Sequence, residues 1–353
     1  MSGVPVPGAF VASLLLVIGL VACRPGGPQA GSAPAQSTTA GGSASAARPA
    51  TVEKVSVCLP GLSQGFAYLG IAQQHGYFAE LGLDVEVEQV QGPVCTQALS
   101  SGRVHFTGAP SALDAIIKGL PYRVVMVNED RLGHRFVVGR RINSYADLKG
   151  GKIAISSPGG LTDKLARLVL PAHGLDPDRD VTLISIGTPE NRVAALLSGA
   201  IDGSFQSPSE TVAALDQGLK TLPFEPPAAV GGAMITTEQL IRSNPDFVAR
   251  FVRGALMGHL LYGYRKDEVM PAVMKFLSAQ DRSYEERVYD LVRPIWREDG
   301  ALDEQQMRDI IADARQTQQV EREFTPDQVF DFRFVRRAYD ELKAANWEGL
   351  WSR

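Results

Sequence analysis

The stretch GYFAELGLDV, residues 76–85, joins the end of a helix to the start of a strand. Residues 66–74 before it are predicted to be helical, and the apolar-polar alternation of residues 83–90 predicts a strand. Gly76 and Gly82 suit helix-end or turn positions with a positive φ, because glycine has no Cβ that would clash there. Tyr77 and Phe78 are predicted to anchor the core. The stretch therefore indicates one α/β unit.

Strands and helices alternate on both sides of this stretch. The first series has predicted strands over residues 55–59, 83–90, 104–107 and 124–127, with helices over 66–74, 95–101 and 111–118. The second series has strands over 152–156, 181–186 and 201–205, with helices over 162–173 and 189–198. This order predicts mainly parallel sheets with right-handed crossovers. Two similar units in series predict two lobes, followed by a mostly helical tail from Thr237.

Length and composition exclude several classes of function. The chain has 353 residues, a formal net charge of −4 and no basic stripe of the kind that binds nucleic acid. Its three cysteines and five histidines form no cluster with zinc spacing. We therefore expect no metal, no cofactor and no nucleic-acid partner.

The N-terminal region carries signals for export. The apolar run from Phe10 to Leu20 has the length of a signal-peptide core and is too short to span a bilayer comfortably. Leu20-Val21-Ala22-Cys23 resembles the lipobox of bacterial lipoproteins, in which the signal is cut before the cysteine and lipid is attached to it. Residues 1–19 contain no Lys or Arg, so an ordinary secretory signal with an incidental cysteine stays open. Both alternatives predict an exported protein.

Residues 24–50 are rich in Gly, Ser, Ala, Pro, Thr and Gln and cannot bury enough apolar surface to fold. We expect a flexible tether between a lipid and a folded body. The predicted layout is a signal peptide over 1–22, a tether with lipidated Cys23 over 23–51, a first lobe over 52–138 and 232–353, and a second lobe over 142–230.

Five segments together resemble one known family. Residues 76–85 are similar to the GYF…GLDV segment of ABC-importer solute-binding proteins, in the branch that handles nitrate, sulfonates, taurine and thiamine-pyrimidine precursors. Residues 98–106, 146–154, 195–203 and 245–253 match further segments of that family in the same order. The resemblance covers nearly the whole folded chain. It implies the type II periplasmic-binding fold, in which each of two lobes has a mainly parallel sheet flanked by helices.

The resemblance also implies how such a protein works. A cleft lies between the lobes, and two hinge crossovers are expected near residues 139–141 and 231–232. The protein would be a monomer that captures a small polar organic solute, sulfonate-like or pyrimidine-like. It would close over the solute and deliver it to a membrane permease driven by ATPase subunits, without performing chemistry itself.

The binding site is expected at the carboxyl ends of the parallel strands, where loops of both lobes face each other. Most residues there are small or hydroxylated and precede a helix, whose free N–H groups suit a polar or anionic ligand. The candidates are Gln64, Phe66, Tyr68, Gly92, Pro93, Thr107, Gly108, Ser111, Ser157, Pro158, Gly159, Gly160, Thr162, Thr188, Asn191, Phe205 and Gln206. The hydroxyl groups could instead serve only as helix N-caps, and the aromatic rings could instead fill the core. The six cleft segments are residues 61–66, 91–94, 107–111, 156–162, 188–191 and 205–208. They contain no Lys or Arg, which favours an organic solute held by neutral donors.

Two further features have expected roles near the cleft. Cys58 ends the first strand and Cys95 begins the helix after the second. Because these strands are neighbours in the family's sheet, the resemblance implies that the two thiols lie at the same end, where an oxidising location would allow a disulfide. The polar run of residues 128–131, with His134 and Arg135, is expected to be a solvated loop, and the alternative is that it helps to bind a charged group near the hinge.

Two other functions remain alternatives at this point. A ligand-sensing lipoprotein would keep the fold without transport. A pyrimidine-precursor synthase-like enzyme would need the cysteine-rich motif and histidine of the synthases related to this fold, and no such cluster is found. None of the five histidines lies in a metal motif such as HExxH.

Overall fold

The computed structural model describes residues 52–226 and 228–352. The predicted signal peptide, Cys23 and the tether lie outside the described residues. The strands are β1 (Glu53–Leu59), β2 (Leu83–Gln89), β3 (Phe106–Thr107), β4 (Tyr122–Arg131), β5 (Arg135–Val138), β6 (Lys152–Ile155), β7 (Thr182–Ser185), β8 (Gly203–Gln206), β9 (Lys220–Leu222) and β10 (Ala228–Thr237). The helices are α1 (Ala67–Gln74), α2 (Tyr77–Glu80), α3 (Gly92–Ser100), α4 (Pro110–Ile117), α5 (Leu161–Ala172), α6 (Pro189–Ser198), α7 (Pro208–Asp216), α8 (Glu238–Ser243), α9 (Pro245–Tyr264), α10 (Lys266–Leu277), α11 (Arg282–Val292), α12 (Glu304–Gln318), α13 (Pro326–Val329) and α14 (Arg333–Ala344).

The strands form two five-stranded sheets of the same topology. The first has the order β2-β1-β3-β10-β4 and the second the order β7-β6-β8-β5-β9. In each sheet three neighbouring strands pair in parallel, and the fourth position holds an antiparallel strand, β10 or β5. The predicted α/β fold with two mainly parallel sheets is thereby confirmed.

The stretch at residues 76–85 has the local structure that its residue types predict. Gly76 and Gly82 have φ angles of 79° and 70°, in the left-handed region that favours glycine. Tyr77 and Phe78 are buried, and the Phe78 ring stacks on Phe251 of α9 with 5.7 Å between the ring centroids. The turn therefore fixes β2 beside β1 and attaches this edge of the sheet to the helical tail.

The crossings between the lobes differ from the expected positions. β5 (Arg135–Val138) pairs with β8 and β9, so residues 135–138 belong to the second lobe and the first crossing is residues 132–134. β10 starts at Ala228 and pairs with β4 of the first sheet, so the second crossing lies between β9 and β10. Gly231 and Gly232 lie inside β10, where the pairing register with β4 shifts. In the sequence, two neighbouring glycines resemble the end of a strand, and this explains the wrong position. Both corrections assign residues near the crossings to strands of the two sheets.

A disulfide joins Cys58 of β1 to Cys95 of α3, as expected, with 5.4 Å between the Cα atoms. Both residues are fully buried at the carboxyl edge of the first sheet. The bridge therefore fastens α3, the helix after β2, to β1, the middle strand of the three parallel neighbours.

The helical tail packs back on the first lobe. The 20-residue helix α9 crosses α1 so closely that a Cβ on Gly258 would overlap the carbonyl oxygen of Tyr68. Helix α11 extends further and contacts α7 of the second lobe. In the described part of the chain, no helix combines the length and apolar character that crossing a bilayer requires.

Candidate ligand-binding site

A pocket of about 220 Å³ lies between the lobes beside the crossings. Its walls come from both sheets, from the first crossing and from α11. The lining residues are Ser63, Gln64, Gly65, Glu129, Leu132, Gly133, His134, Ser207, Pro208, Ser209, Gly231, Val288 and Val292. Two of the six predicted cleft segments, residues 61–66 and 205–208, therefore meet at this pocket.

The carboxyl group of Glu129 forms part of the first-lobe wall. A Cβ placed on Gly65 would lie 2.5 Å from Oε1, and one placed on Gly231 would lie 2.9 Å from Oε2. The carboxyl group is therefore held between two glycine backbones, which no larger residue would allow. Separation from water, with no compensating positive charge, raises the pKa of Glu129 to about 7.

Gln64 lines the same wall, and its amide group is already bonded. Its Oε1 accepts a hydrogen bond of 2.9 Å from the Tyr262 hydroxyl. Its Nε2 donates to the backbone oxygen of Glu285 at 2.7 Å and to the Glu285 carboxylate at 2.6 Å. Gln64 thus braces the wall against α9 and α11, and a hydrogen bond from it to a ligand would require the release of one of these partners.

Ser63 is the centre of Gly61-Leu62-Ser63-Gln64-Gly65, which matches the GxSxG pattern of a strand-to-helix nucleophile turn. A serine nucleophile requires a base within hydrogen-bond reach of its hydroxyl. Among the hydrogen bonds of residues 52–226 and 228–352, none joins Ser63 to a histidine. The pattern therefore supplies a tight turn at the pocket, without a catalytic pair around it.

On the second-lobe side His134 forms a polar wall of the pocket, and Gln206, which is not among the lining residues, lies nearby in β8. Burial and the nearby Arg192 and Arg135 lower the pKa of His134 to about 4, so its ring is neutral at pH 7. Gln206 ends β8 and pairs with Arg135, the residue after His134. In the described structure, His134 Nδ1 and both amide atoms of Gln206 are buried without hydrogen-bond partners. Buried polar groups are normally bonded, so this wall retains hydrogen-bonding capacity.

The expected solvated loop at residues 128–131 is wrong. These residues continue β4, and Asn128 is fully buried, with its Nδ2 donating a hydrogen bond of 2.6 Å to the carbonyl oxygen of Gly65. Glu129 of this run lines the pocket together with Val288 and Val292 of α11, which lie more than 150 residues away in sequence. The sequence did contain a signal that these residues could line a site, because charged residues directly follow a predicted strand near the hinge.

A family model described as "NMT1/THI5 like" matches residues 64–261, which is more than half of the chain. The chain belongs to the NMT1/THI5-like family. This match confirms the resemblance that the five sequence segments indicated.

Relatives of this NMT1/THI5-like chain include proteins named for binding. A binding protein of Brucella abortus is 29% identical over 196 residues, which cover 53% of this chain and 60% of that protein. The chain therefore spans about 60% of the length of the first relatives it matches. The riboflavin-binding protein RibY of Chloroflexus aurantiacus is 26% identical over 302 residues, covering 80% of this chain and 83% of that protein.

Solved structures share the fold. The periplasmic sulfonate-binding protein SsuA of Methylobacillus flagellatus superposes with a TM-score of 0.63 at 20% identity, covering 83% of this chain and 95% of that one. The desulfurization enzyme DSZB superposes with a TM-score of 0.57 at 16% identity, covering 82% and 99%. These likenesses confirm the predicted periplasmic-binding fold, and they include both binding proteins and an enzyme.

The other first-lobe candidates of the NMT1/THI5-like chain lie in protein contacts. The Phe66 ring covers Gly108, where a Cβ would lie 2.5 Å from Phe66 Cε1. Tyr68 is fully buried and meets the rings of His259 and Trp296 edge-on. The remaining members lie at strand and helix ends: Thr107 bonds Cys58 and Ala109, Ser111 bonds Thr96, and Gly92 and Pro93 open α3.

Most second-lobe candidates also bond to their own loops. The Thr162 hydroxyl accepts the N–H of Ser156 at 2.6 Å, and the Thr188 hydroxyl caps α6 by accepting the N–H of Asn191 at 3.3 Å. Phe205 is fully buried against Phe136. Ser157, Pro158, Gly159 and Gly160 form the turn before α5, in which Gly159 donates to Asp163. A ligand role for these residues remains a prediction, and Gln64 is the one predicted residue that lines the interlobe pocket.

Three exposed apolar side chains also lie at the carboxyl edges of the sheets. Leu62 is 38% exposed, Val94 is 43% exposed and Leu161 is 41% exposed. Each lies in one of the predicted cleft segments. Together they give the cleft edge of this family member an apolar character that suits an organic solute.

Proposed function

We propose that the protein is the extracytoplasmic solute-binding component of an ABC importer, and that it binds a small polar organic solute between its lobes. The observation that carries the proposal is a pocket built from both lobes directly at the crossings. The names of the riboflavin-binding and sulfonate-binding relatives support the same class of function. The pocket is smaller than most ligand sites, which favours a solute of modest size.

The two crossings provide the hinge for such a cycle. β4 and β10 are neighbouring strands, and Arg131 at the end of β4 pairs with Ala228 at the start of β10. The chain therefore passes between the lobes twice at nearly the same place, which allows the lobes to rotate about one short axis. The solute would be enclosed between Glu129 on one side and the start of α7 on the other.

Delivery and location complete the proposal. The closed monomer would dock on a membrane permease, and ATPase subunits would drive uptake. Lipid at Cys23 would hold the exported protein at the bacterial membrane, with the tether giving it reach. Replacement of Cys23 by alanine should then move the protein from the membrane fraction to the soluble fraction, whereas a protein that stays with the membrane would contradict the lipid anchor.

The enzyme alternative is less well supported. DSZB shares the fold, so the fold alone does not decide between binding and catalysis. A hydrolytic role for Ser63 would require a base bonded to its hydroxyl, and no hydrogen bond among the described residues joins Ser63 to a histidine. A ligand-sensing role would use the same pocket and would differ only in the partner protein that binds the closed form.

Binding can be tested with a thermal-shift screen of the full chain. The panel would contain nitrate, taurine, alkyl and aryl sulfonates, aminopyrimidines, small aromatic acids and riboflavin. A ligand at 100 times its Kd stabilises the fold by about 2.7 kcal/mol. Hits would be remeasured by calorimetry with Ser63→Trp, which fills the pocket, and with Ser101→Trp, an exposed control at the end of α3.

We expect a hit to lose binding in Ser63→Trp and to keep it in Ser101→Trp. Equal binding by both variants would place the solute elsewhere. Deletion of the gene should then abolish cellular uptake of the hit compound. Normal uptake together with a lost response to the compound would favour the sensing alternative.

A further inference from the structure

The lining of the interlobe pocket is acidic rather than basic. Among the described residues that line it, Glu129 is the one carboxylic acid, and none is Lys or Arg. Nitrate or a simple sulfonate would place a negative charge next to this carboxyl group. In a pocket wall that is shielded from bulk water, two like charges repel strongly.

The Glu129 carboxyl group has no structural task in the described residues. It takes part in none of their ion pairs, and no N–H or O–H group of these residues donates to it. By contrast, its neighbour Asp130 accepts from Gln306 at 3.3 Å and lies 3.7 Å from Arg297. A carboxyl group in a pocket wall that bonds to no other described residue keeps its full capacity to accept hydrogen bonds from a ligand.

The opposite wall is formed by the start of the nine-residue helix α7. Ser207 and Ser209 line the pocket there, and the Ser207 hydroxyl donates to the Glu210 carboxyl group in the first turn of the same helix. Val288 and Val292 of α11 supply an apolar side between the two polar walls. The buried Gln206 and the neutral His134 add groups without partners near the same end.

We propose that the solute carries a nitrogen-bound hydrogen, as an ammonium, amidine, amide or imide group, and that Glu129 accepts this hydrogen in the closed pocket. The inference rests on the proposed solute-binding function and narrows it to small nitrogenous compounds. The apolar part of the solute contacts Val288 and Val292 of α11. Anions without an N–H group bind more weakly, because the ionised form of Glu129 repels them.

The test compares pairs of probes that differ in one N–H group. Taurine is compared with isethionate, in which a hydroxyl replaces the ammonium group. 4-Amino-5-hydroxymethyl-2-methylpyrimidine is compared with its analogue without the amino group. Riboflavin is compared with N3-methylriboflavin, which lacks the N3–H group. Calorimetry on the full chain gives Kd for each probe with the unmodified protein, Glu129→Gln and the control Glu86→Gln, whose side chain is exposed on β2.

We expect at least one N–H probe to bind at least tenfold more tightly than its partner. Glu129→Gln should weaken that probe at least tenfold for an ammonium group, and less for a neutral N–H group, because glutamine keeps an acceptor oxygen. Glu86→Gln should leave the affinity unchanged. Thermal unfolding of Glu129→Gln should show no loss of stability, which a structural role for the carboxyl group would not predict.

Two results would overturn the inference. Tight binding of isethionate or nitrate that Glu129→Gln leaves unchanged would remove the role of Glu129, while the proposed binding function would stand. Failure of every probe to bind the unmodified chain would remove support from the proposed function, and the narrower inference would fall with it.

Discussion

The hydroxyl of Tyr284 donates a hydrogen bond of 2.7 Å to the backbone oxygen of Ser209, and so joins α11 of the first lobe to the first turn of α7 in the second. The Arg287 side chain, also on α11, binds Asp216 at the end of α7, with 2.8 Å between Nη2 and Oδ2. Ser209 lines the pocket, and Val288 and Val292 of α11 line it as well. The helix that lines the interlobe pocket therefore also joins the two lobes.

Loss of the Tyr284 hydroxyl should weaken ligand binding more than folding. Tyr284→Phe removes one hydrogen bond between the lobes, worth about 1 kcal/mol, so Kd should rise about fivefold. Calorimetry with a confirmed ligand measures the change. The control is Tyr339→Phe, which removes a 2.6 Å bond to Glu298 within the first lobe. Equal Kd values for the two variants would show that this contact does not contribute to closure.

Glu129 should make the empty protein less stable as pH rises. Its pKa is raised from 4.5 to about 7 in the fold, so between these values the folded state binds more protons than the unfolded state. Stability therefore falls with increasing pH across this window and stays lower above it. The side chains that face Glu129 are the neutral Tyr68, Tyr262 and His134, none of which offsets its charge.

The expected result is a stability advantage of Glu129→Gln that grows from about pH 5 to about pH 8, reaching no more than about 3 kcal/mol. Urea unfolding at both pH values measures it. His134, with its pKa lowered to about 4, titrates in the opposite sense, but it does so in both proteins and cancels in the comparison. A constant difference between the two proteins would contradict the raised pKa.

Gly231 should tolerate no side chain. A Cβ there would overlap the carbonyl oxygen of Arg131 and lie 2.9 Å from Glu129 Oε2, so Gly231→Ala must displace β10 or the pocket wall. We expect a loss of roughly 1–3 kcal/mol in unfolding free energy together with weaker ligand binding. The matched control is Gly61→Ala, where nothing lies within 4 Å of the added Cβ. Similar stability of the two variants would show that β10 adapts without cost.

The disulfide should contribute substantially to stability. The bridge closes a loop of 37 residues between β1 and α3. Replacement of Cys58 and Cys95 together by alanine should lower the unfolding free energy by about 2–4 kcal/mol, chiefly because the unfolded chain gains freedom. Denaturant unfolding with and without reductant checks this, since only the unmodified protein should respond to the reductant. An equal response of both proteins would assign the effect to another site.

Local signals in the sequence were sufficient for most elements of the fold. Helix α6 has the predicted bounds, because Thr188 caps its start, Pro189 suits its first turn, and Gly199 ends it with a φ of 74°. β10 was not predicted, because its Gly231 and Gly232 resemble a break and its place in the sheet depends on pairing with β4, about 100 residues earlier. Short β5 was missed for the same reason.

The site was harder to predict than the fold. The rule that ligands bind at the carboxyl ends of parallel strands selected residues 61–66 and 205–208, and members of both segments line the interlobe pocket. The rule did not select Glu129, because the position of this side chain depends on Gly65, Gly231 and α11, which come from different parts of the chain. A charged residue beside a strand end is exposed in most proteins, and only the tertiary structure shows this one to line a pocket.

The position of β10 between β3 and β4 also governs the order in which the molecule can assemble. As the chain is synthesised, β4 cannot join the first sheet until β10 exists, and β10 follows the whole of the second lobe. The second lobe, a continuous stretch from β5 to β9, can therefore complete its sheet while the first remains an open set of strands. The segment that closes the first sheet is thus also the segment that completes the second crossing, so neither can form before the second lobe has been synthesised.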